Sequence, residues 1–445
     1  MSNHVPTADL AGRRVTVMGL GRHGGGVGVT KYLADRDARV TVTDTAGEEA
    51  LLAATEQLKN VPIGAMHLAG HREIDFRSAE IVVANPAVRE DDWFLRLARQ
   101  AGATITSEIE LFISACPAPI IGVTGTNGKS TTAAMIDQIL RADGRRTWLG
   151  GNIGGSLLGD LPRMTADDWV VLELSSFQLA RLSESVRGVD VAVVTNFTPN
   201  HLDWHGDLRH YERSKRRILS LQSPQGVAVL NGDDRRVASW SETAQGRVVV
   251  ASPSSELPEL QLAGEHNRCN AQCAAAAVRA VGCHETSIRE ALSTFGGLPH
   301  RMELVRETAG RRFINDSMAT TPESTIAALH AAKRPTWLLA GGHSKGADFS
   351  SLGEAVSQYA RGAAFFGAAR DELQASLESA SHNTPHIVVE TLDEAVTWCY
   401  ANSRTGDDLL LSPACASYDQ FTDYEHRAAT FVELVELLET GESTQ

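Results

Sequence analysis

The segment Thr124-Gly125-Thr126-Asn127-Gly128-Lys129-Ser130 constrains the fold of this chain more than any other. It follows the apolar run Pro119-Ile120-Ile121-Gly122-Val123 and leads into Thr131-Thr132-Ala133-Ala134-Met135-Ile136, a pattern that predicts strand, glycine-rich turn and helix. Such a turn suits phosphate. Its glycines let backbone N–H groups point inward, and the helix N-terminus adds partial positive charge. The lysine reaches terminal phosphates, and the serine hydroxyl is a ligand for Mg²⁺. The P-loop pattern is broken at one place, since Val123 stands where its first glycine falls. Gly125, Thr126, Asn127, Gly128, Lys129 and Ser130 are the expected nucleotide-binding residues.

Around this turn the chain alternates strand and helix almost throughout, which predicts α/β layers with parallel sheets. At 445 residues it exceeds one ordinary core. The pattern divides into about 1–107, 108–297 and 298–445, with Gly296-Gly297-Leu298-Pro299 as a hinge on which the last two close. In the first segment Arg14–Met18 reads as a strand running into Gly19-Leu20-Gly21-Arg22-His23-Gly24, and Val40–Asp44 as the next, a Rossmann-like start. Taken alone, that glycine turn fits any diphosphate. The net charge of −14 argues against general nucleic-acid binding. No apolar run has membrane-spanning length and the N-terminus lacks a signal-peptide layout, so the expectation is a cytoplasmic protein. The six cysteines show no CxxC spacing and read as buried thiols rather than a disulfide framework.

Polar residues gather at the carboxyl ends of predicted strands, where open α/β sheets collect ligands. Glu173 ends Trp169–Leu174 and is placed to hold Mg²⁺ as a Walker-B-type acid does. His201-Leu202-Asp203-Trp204-His205 invites a zinc reading, but it follows a proline in a loop with no cysteine near, and one imidazole near Mg²⁺–ATP fits better. Lys215 lies in a basic helical stretch that reads as solvated or anion-facing surface, with nothing in its spacing to separate it from Arg213 or Arg216. Arg301 follows the hinge and is placed to reach phosphate on closure. Asn315-Asp316-Ser317, Gly341–Gly346 and Ser412–Ser417 each follow a strand; within the last, Cys415 reads as tight-turn packing rather than a nucleophile.

Taken together, Thr124–Ser130, Leu172–Leu179, Asn200–Asp203, Gly264–Asn267 with Asn270, His300-Arg301 and Asn315–Ser317 resemble the Mur ligases, ATP-dependent amide-forming enzymes of cell-wall synthesis. The resemblance covers nearly the whole chain. It implies three domains: a Rossmann-like N-terminal domain, a central P-loop ATPase-like parallel-sheet domain and a C-terminal Rossmann-like α/β domain. Gly19-Leu20-Gly21, Gly341–Phe349 and Ser412–Phe421 resemble the family branch that adds D-glutamate to UDP-N-acetylmuramoyl-L-alanine through an acyl phosphate.

By that resemblance Gly19, Leu20, Gly21, Asp44, Thr45, Asn85 and Asn152 bind the UDP-substrate rather than NAD. Thr131, Asn267, Asn270, Arg301 and Asp316 join the ATP site, and Lys345, Ser417 and Tyr424 hold the glutamate. Ser130, Glu173, His201 and Lys215 match the metal positions, Lys215 as a carbamate; Lys129, His201 and Lys215 are the catalytic set. Met318 stands where the branch carries a lysine, which leaves an L-glutamate-adding variant open beside a folylpolyglutamate synthase-like ligase and a regulatory P-loop ATPase. The expected partners are the two small substrates, and the expected state is a monomer.

Overall fold

The computed structural model describes residues 10–21, 24–153, 155–252, 257–262, 264–344, 347–380 and 383–440. Lys345, Gly346, Arg22, His23 and the N-terminal segment lie outside them. The chain forms two compact units, Met1–Phe295 and Gly296–Gln445, each considered by itself below.

The first unit holds two parallel sheets. In one, β1 (Arg14–Met18), β2 (Arg39–Thr43), β3 (Ala65–His67), β4 (Ile81–Ala84) and β5 (Thr104–Thr106) run in the order β3-β2-β1-β4-β5. The other contains β6 (Ile120–Thr124), β7 (Thr147–Gly151), β8 (Trp169–Glu173), β9 (Val191–Val194), β10 (Val227–Asn231) and β11 (Arg247–Ala251), ordered β11-β10-β9-β6-β8-β7. Every residue of β4, β6 and β9 is buried, as strands covered on both faces require. One apolar cluster runs from Val15, Val40 and Val83 through Phe112 to Ile120, Leu172 and Val194, so the two sheets share a core.

The helices of this unit start where local chemistry starts them. Asp92 accepts the Phe94 and Leu95 N–H groups ahead of Trp93–Gln100, and Ser175 with Gln178 forms a capping box on Ser176–Arg181. Gly128, at φ 77°, caps Lys129–Ala142.

In the second unit, β12 (Glu303–Thr308), β13 (Arg311–Asn315), β14 (Thr336–Gly341), β15 (Ala360–Phe366), β16 (His386–Val388) and β17 (Asp408–Ala414) are ordered β12-β13-β17-β14-β15-β16. The expected parallel pairing holds through β13, β17, β14, β15 and β16, and among the described strands β12 departs from it, running antiparallel to β13. The cause is local: Ala309 and Gly310 take φ 48° and 70°, the left-handed pair of a tight hairpin. At the buried core of this sheet, β17 shifts register against β14 between Leu339 and Gly341, beside Pro413, which has no N–H to donate. Among the described residues no helix is long and apolar enough to cross a membrane.

The ion pair that ties β13 to β17 is bidentate, Arg312 Nε to Asp408 Oδ1 at 2.8 Å and Nη2 to Oδ2 at 2.7 Å, with the Asp408 side chain 1% exposed. Removing the cation leaves a buried carboxylate uncompensated. Arg312→Met is expected to cost about 2–4 kcal/mol of unfolding free energy, a range lowered for the partly exposed arginine. Arg77→Met, at an exposed Glu73 pair, is expected to cost under about 0.5 kcal/mol in the same denaturant titration.

Candidate functional site

The turn between β6 and helix Lys129–Ala142 is clasped by the loop after β9. Thr195 Oγ1 donates to the Asn127 carbonyl at 2.6 Å, Asn196 Nδ2 donates to the same oxygen at 2.9 Å, and Asn127 N–H returns to Asn196 Oδ1 at 2.8 Å. Thr126 Oγ1 lies 3.1 Å from the Tyr211 hydroxyl. Two glycines are obligatory here. A Cβ on Gly125 would lie 1.9 Å from Thr195 Oγ1, and one on Gly128 would lie 2.2 Å from Asn270 Oδ1. Lys129 Nζ donates to the Thr126 carbonyl at 2.9 Å.

Lys215 is not the surface residue that its basic helix suggested. It is 2% exposed, its Nζ donates to the Gly125 carbonyl at 2.6 Å, and it sits 4.7 Å from the Tyr211 ring centroid. Burial, and then the nearby Lys129 ammonium, hold its amine well below the ordinary lysine range, against the pull of Glu173. Helical phase explains the error: Tyr211, Ser214, Lys215 and Ile218 form the buried stripe of Leu208–Ser220, while Arg213 lies off it.

Glu173 closes β8, 1% exposed, and its Oε1 accepts from Asn152 Nδ2 at 2.8 Å. Its Oε2 is buried without a hydrogen-bond partner. An orphaned carboxylate oxygen beside the buried Ser130 hydroxyl's helix is a donor set that fits a hard cation, since Mg²⁺ takes few protein ligands and completes its shell with phosphate and water. Among the described residues no group of three or more His, Cys, Asp or Glu side chains is placed to hold a metal. Leu202–His205 forms a helical turn entered by His201 at φ 54°. His205, 5% exposed, lies 2.9 Å from Ser176 Oγ, and the His201 ring centroid lies 4.9 Å from that of Phe177.

In the first sheet Gly19, Gly21, Asp44 and Asn85 come together. Gly21 N–H donates to Asp44 Oδ2 at 3.0 Å, Ala46 N–H donates to Oδ1 at 2.8 Å, and a Cβ on Gly19 would lie 2.7 Å from Asn85 Cβ. Leu20 is fully buried and offers only backbone, whereas Thr45 is exposed.

The second unit carries Arg301, Asp316, Ser417 and Tyr424. Asp316 accepts from Met302 N–H at 3.1 Å and from Ser412 Oγ at 2.8 Å, and burial pushes its carboxyl up to about 6. Ser417 is buried, with its carbonyl accepting Phe421 N–H at 2.9 Å. Cys415 is buried at the strand end, in keeping with packing.

Sequence reasoning missed Arg427. It is fully buried, and it donates to Ser317 Oγ at 3.0 Å, Ser317 O at 2.9 Å, Cys415 O at 3.1 Å and Gly341 O at 3.4 Å, tying the ends of β13, β14 and β17 together. The available signal was position: Arg427 falls one turn before Phe431 and two before Val435, on the apolar stripe of its helix.

Residues 13–107 match the model of the Mur ligase MurD-like N-terminal domain, 123–258 the Mur ligase middle domain, and 300–415 the Mur ligase glutamate ligase domain. A UDP-N-acetylmuramoylalanine--D-glutamate ligase of Roseiflexus sp. (strain RS-1) is 38% identical over 96% of this chain and 99% of its own. Its counterpart from Geobacter metallireducens is 37% identical over 98% and 99%. Among solved structures, the UDP-N-acetylmuramate-alanine ligase MurC from Thermotoga maritima shares the fold with a TM-score of 0.60 at 19% identity, covering 95% of this chain and 99% of that one. FolC from E. coli, with ADP and DHPP, reaches 0.53 at 18% identity over 76% and 94%.

The raised Asp316 carboxyl has a signed consequence. Because its folded value lies above its unfolded one, folding favours the protonated form, and stability is lost as pH rises from about 4 to about 6. Asp316→Asn removes that loss. Its stability relative to the parent is therefore expected to climb by about 2–3 kcal/mol across that window and stay flat above it; a difference constant in pH would refute the assignment.

Proposed function

Because this chain belongs to the Mur ligase family, we propose that it is the member that joins D-glutamate to UDP-N-acetylmuramoyl-L-alanine at the expense of ATP, in peptidoglycan precursor synthesis. The full-length relatives that carry that activity in their names support the amino acid despite Met318. The observation that carries the chemistry is a glycine turn, a buried lysine and an orphaned carboxylate oxygen at the ends of the paired strands β6 and β8. We assign 1–107 to the UDP-substrate, 108–297 to ATP and 298–445 to the amino acid, in a cytoplasmic monomer.

The reaction must make a carboxylate electrophilic. An oxygen of the alanyl carboxylate attacks the γ-phosphorus of ATP, the bond to the bridging oxygen breaks, and ADP leaves. The glutamate amine then attacks the acyl carbon, inorganic phosphate departs, and the amine's proton passes to solvent. Both partners of the first step are anions, so positive charge has to be fixed in place beforehand. Lys129 and the N–H groups opening its helix supply it, with Thr131, Asn267, Asn270, Arg301 and Asp316 assigned to the rest of ATP. Mg²⁺, when bound by Ser130, Glu173, His201 and Lys215, supplies further charge neutralisation to the phosphates.

A free ammonium at Lys215 would oppose a cation. Its depressed basicity favours the neutral amine, the form whose nitrogen adds to the carbon of CO₂ and, on losing a proton to solvent, becomes a carbamate. Gly19, Gly21, Asp44, Thr45, Asn85 and Asn152 are assigned to the UDP-substrate, and Lys345, Ser417 and Tyr424 to glutamate.

ADP release is the direct test. It is expected with UDP-N-acetylmuramoyl-L-alanine plus D-glutamate, and to be far slower with L-glutamate or no amino acid; release independent of amino acid would make the chain an ATPase instead. Lys215→Ala is expected to lower kcat by ~10²–10³, with partial recovery on adding short carboxylates. An unchanged rate would exclude the carbamate role.

A further inference from the structure

Two side chains of the second sheet's helices reach across to one turn of the first. The turn after β4 is self-closed: Asn85 Oδ1 accepts Ala87 N–H at 3.0 Å, and the Asn85 carbonyl accepts Val88 N–H at 3.0 Å. Its Asn85 packs on Gly19, and Asn85 Nδ2 faces the Gly19 carbonyl at 3.4 Å. The carbonyls of Ala87 and Val88 are both taken. Trp204 Nε1 donates to Ala87 O at 3.1 Å, and Arg181 Nη2 donates to Val88 O.

These donors stand on short rigid arms. Arg181 ends the capped helix that starts three residues after Glu173, and Trp204 lies in the turn entered by His201. The Phe177 ring braces both arms, at 4.9 Å from the centroids of His201 and Trp204 and 5.4 Å from that of His205.

Arg181 is an expensive way to hold a carbonyl. It is 9% exposed, and its Nε and Nη1 are buried with no hydrogen-bond partner. Glu90 and Asp92 act on it from the first sheet's side, and Arg99 opposes them. A guanidinium withdrawn from water with one neutral acceptor contributes little net stability, and its unmet donors are destabilising. The return lies in where it puts the turn.

We propose that Arg181 and Trp204 are positioning residues that fix the Asn85–Val88 turn against Gly19, setting the UDP end of the substrate at a fixed reach from the strand end bearing Glu173. The inference rests on the reading of the first sheet as the UDP-substrate site. Each acts through the turn, by its bond to a turn carbonyl.

The test is kinetics and melting of Arg181→Met, Arg181→Lys and Trp204→Phe in the full chain. Arg181→Met is expected to raise KM for UDP-N-acetylmuramoyl-L-alanine at least tenfold, to leave KM for ATP within twofold, and to leave Tm unchanged or higher. Arg181→Lys is expected to recover part of the loss, and Trp204→Phe, which keeps the ring and removes the donor, to raise the same KM alone. An unchanged KM for the UDP-substrate overturns the proposal, as does a fall in Tm with both KM values moving together. If the parent protein shows no saturation by the UDP-substrate, the reading of the first sheet fails, and the inference goes with it.

Discussion

The hydrogen bond from Lys215 Nζ to the Gly125 carbonyl is the constraint around which the first unit is arranged. A lysine amine is costly to bury, and here the charges acting on it are a second lysine and a carboxylate that is itself only half satisfied. Holding these groups together requires rigid surroundings. The clasp of Thr195 and Asn196 on Asn127, the Tyr211 ring and the fully buried strand β6 provide them. The site is thus assembled from groups that repel or lack partners, an arrangement suited to receiving phosphate and a divalent cation.

The second unit solves a similar problem with a neutral cage. Three strand ends that carry Asp316, Gly341 and Cys415 are drawn together by one arginine whose acceptors are a hydroxyl and carbonyls, not a carboxylate. The register slip beside Pro413 skips a position before β17 rejoins β14 at Gly341–Ala414, and Ala414 adopts φ 59° there. Arg427 and the His343–Ala416 bridge together hold the loops at that end.

Much of this was legible in sequence because central strands are apolar runs. Arg14–Met18, Trp169–Glu173 and Leu409–Leu411 are of this kind. The glycine turn was readable because its φ angles leave few alternatives to glycine. What stayed hidden shared a cause. β3 and β5 are three residues long, β7 ends in two glycines, and β12 is charged, so none presents an apolar period. Lys215, Arg181 and Arg427 are cations in the interior, where composition places surface residues, and only tertiary packing separates them from their neighbours. The Rossmann-like turn was ambiguous for a different reason: glycines there report close backbone approach without saying to what.

The unequal finish of the sheet borders has its own consequence. The borders of the first sheet, β3 and β5, are three residues long, and β12 of the third is studded with Glu303, Arg306 and Glu307. Short or charged margins of this sort refuse a foreign strand. β11, with Val248, Val249 and Val250 in a row and Val250 49% exposed, is the least guarded of the described borders, its only ladder being to β10. Arg247–Ala251 is thus an edge open to strand pairing with a second half-folded copy.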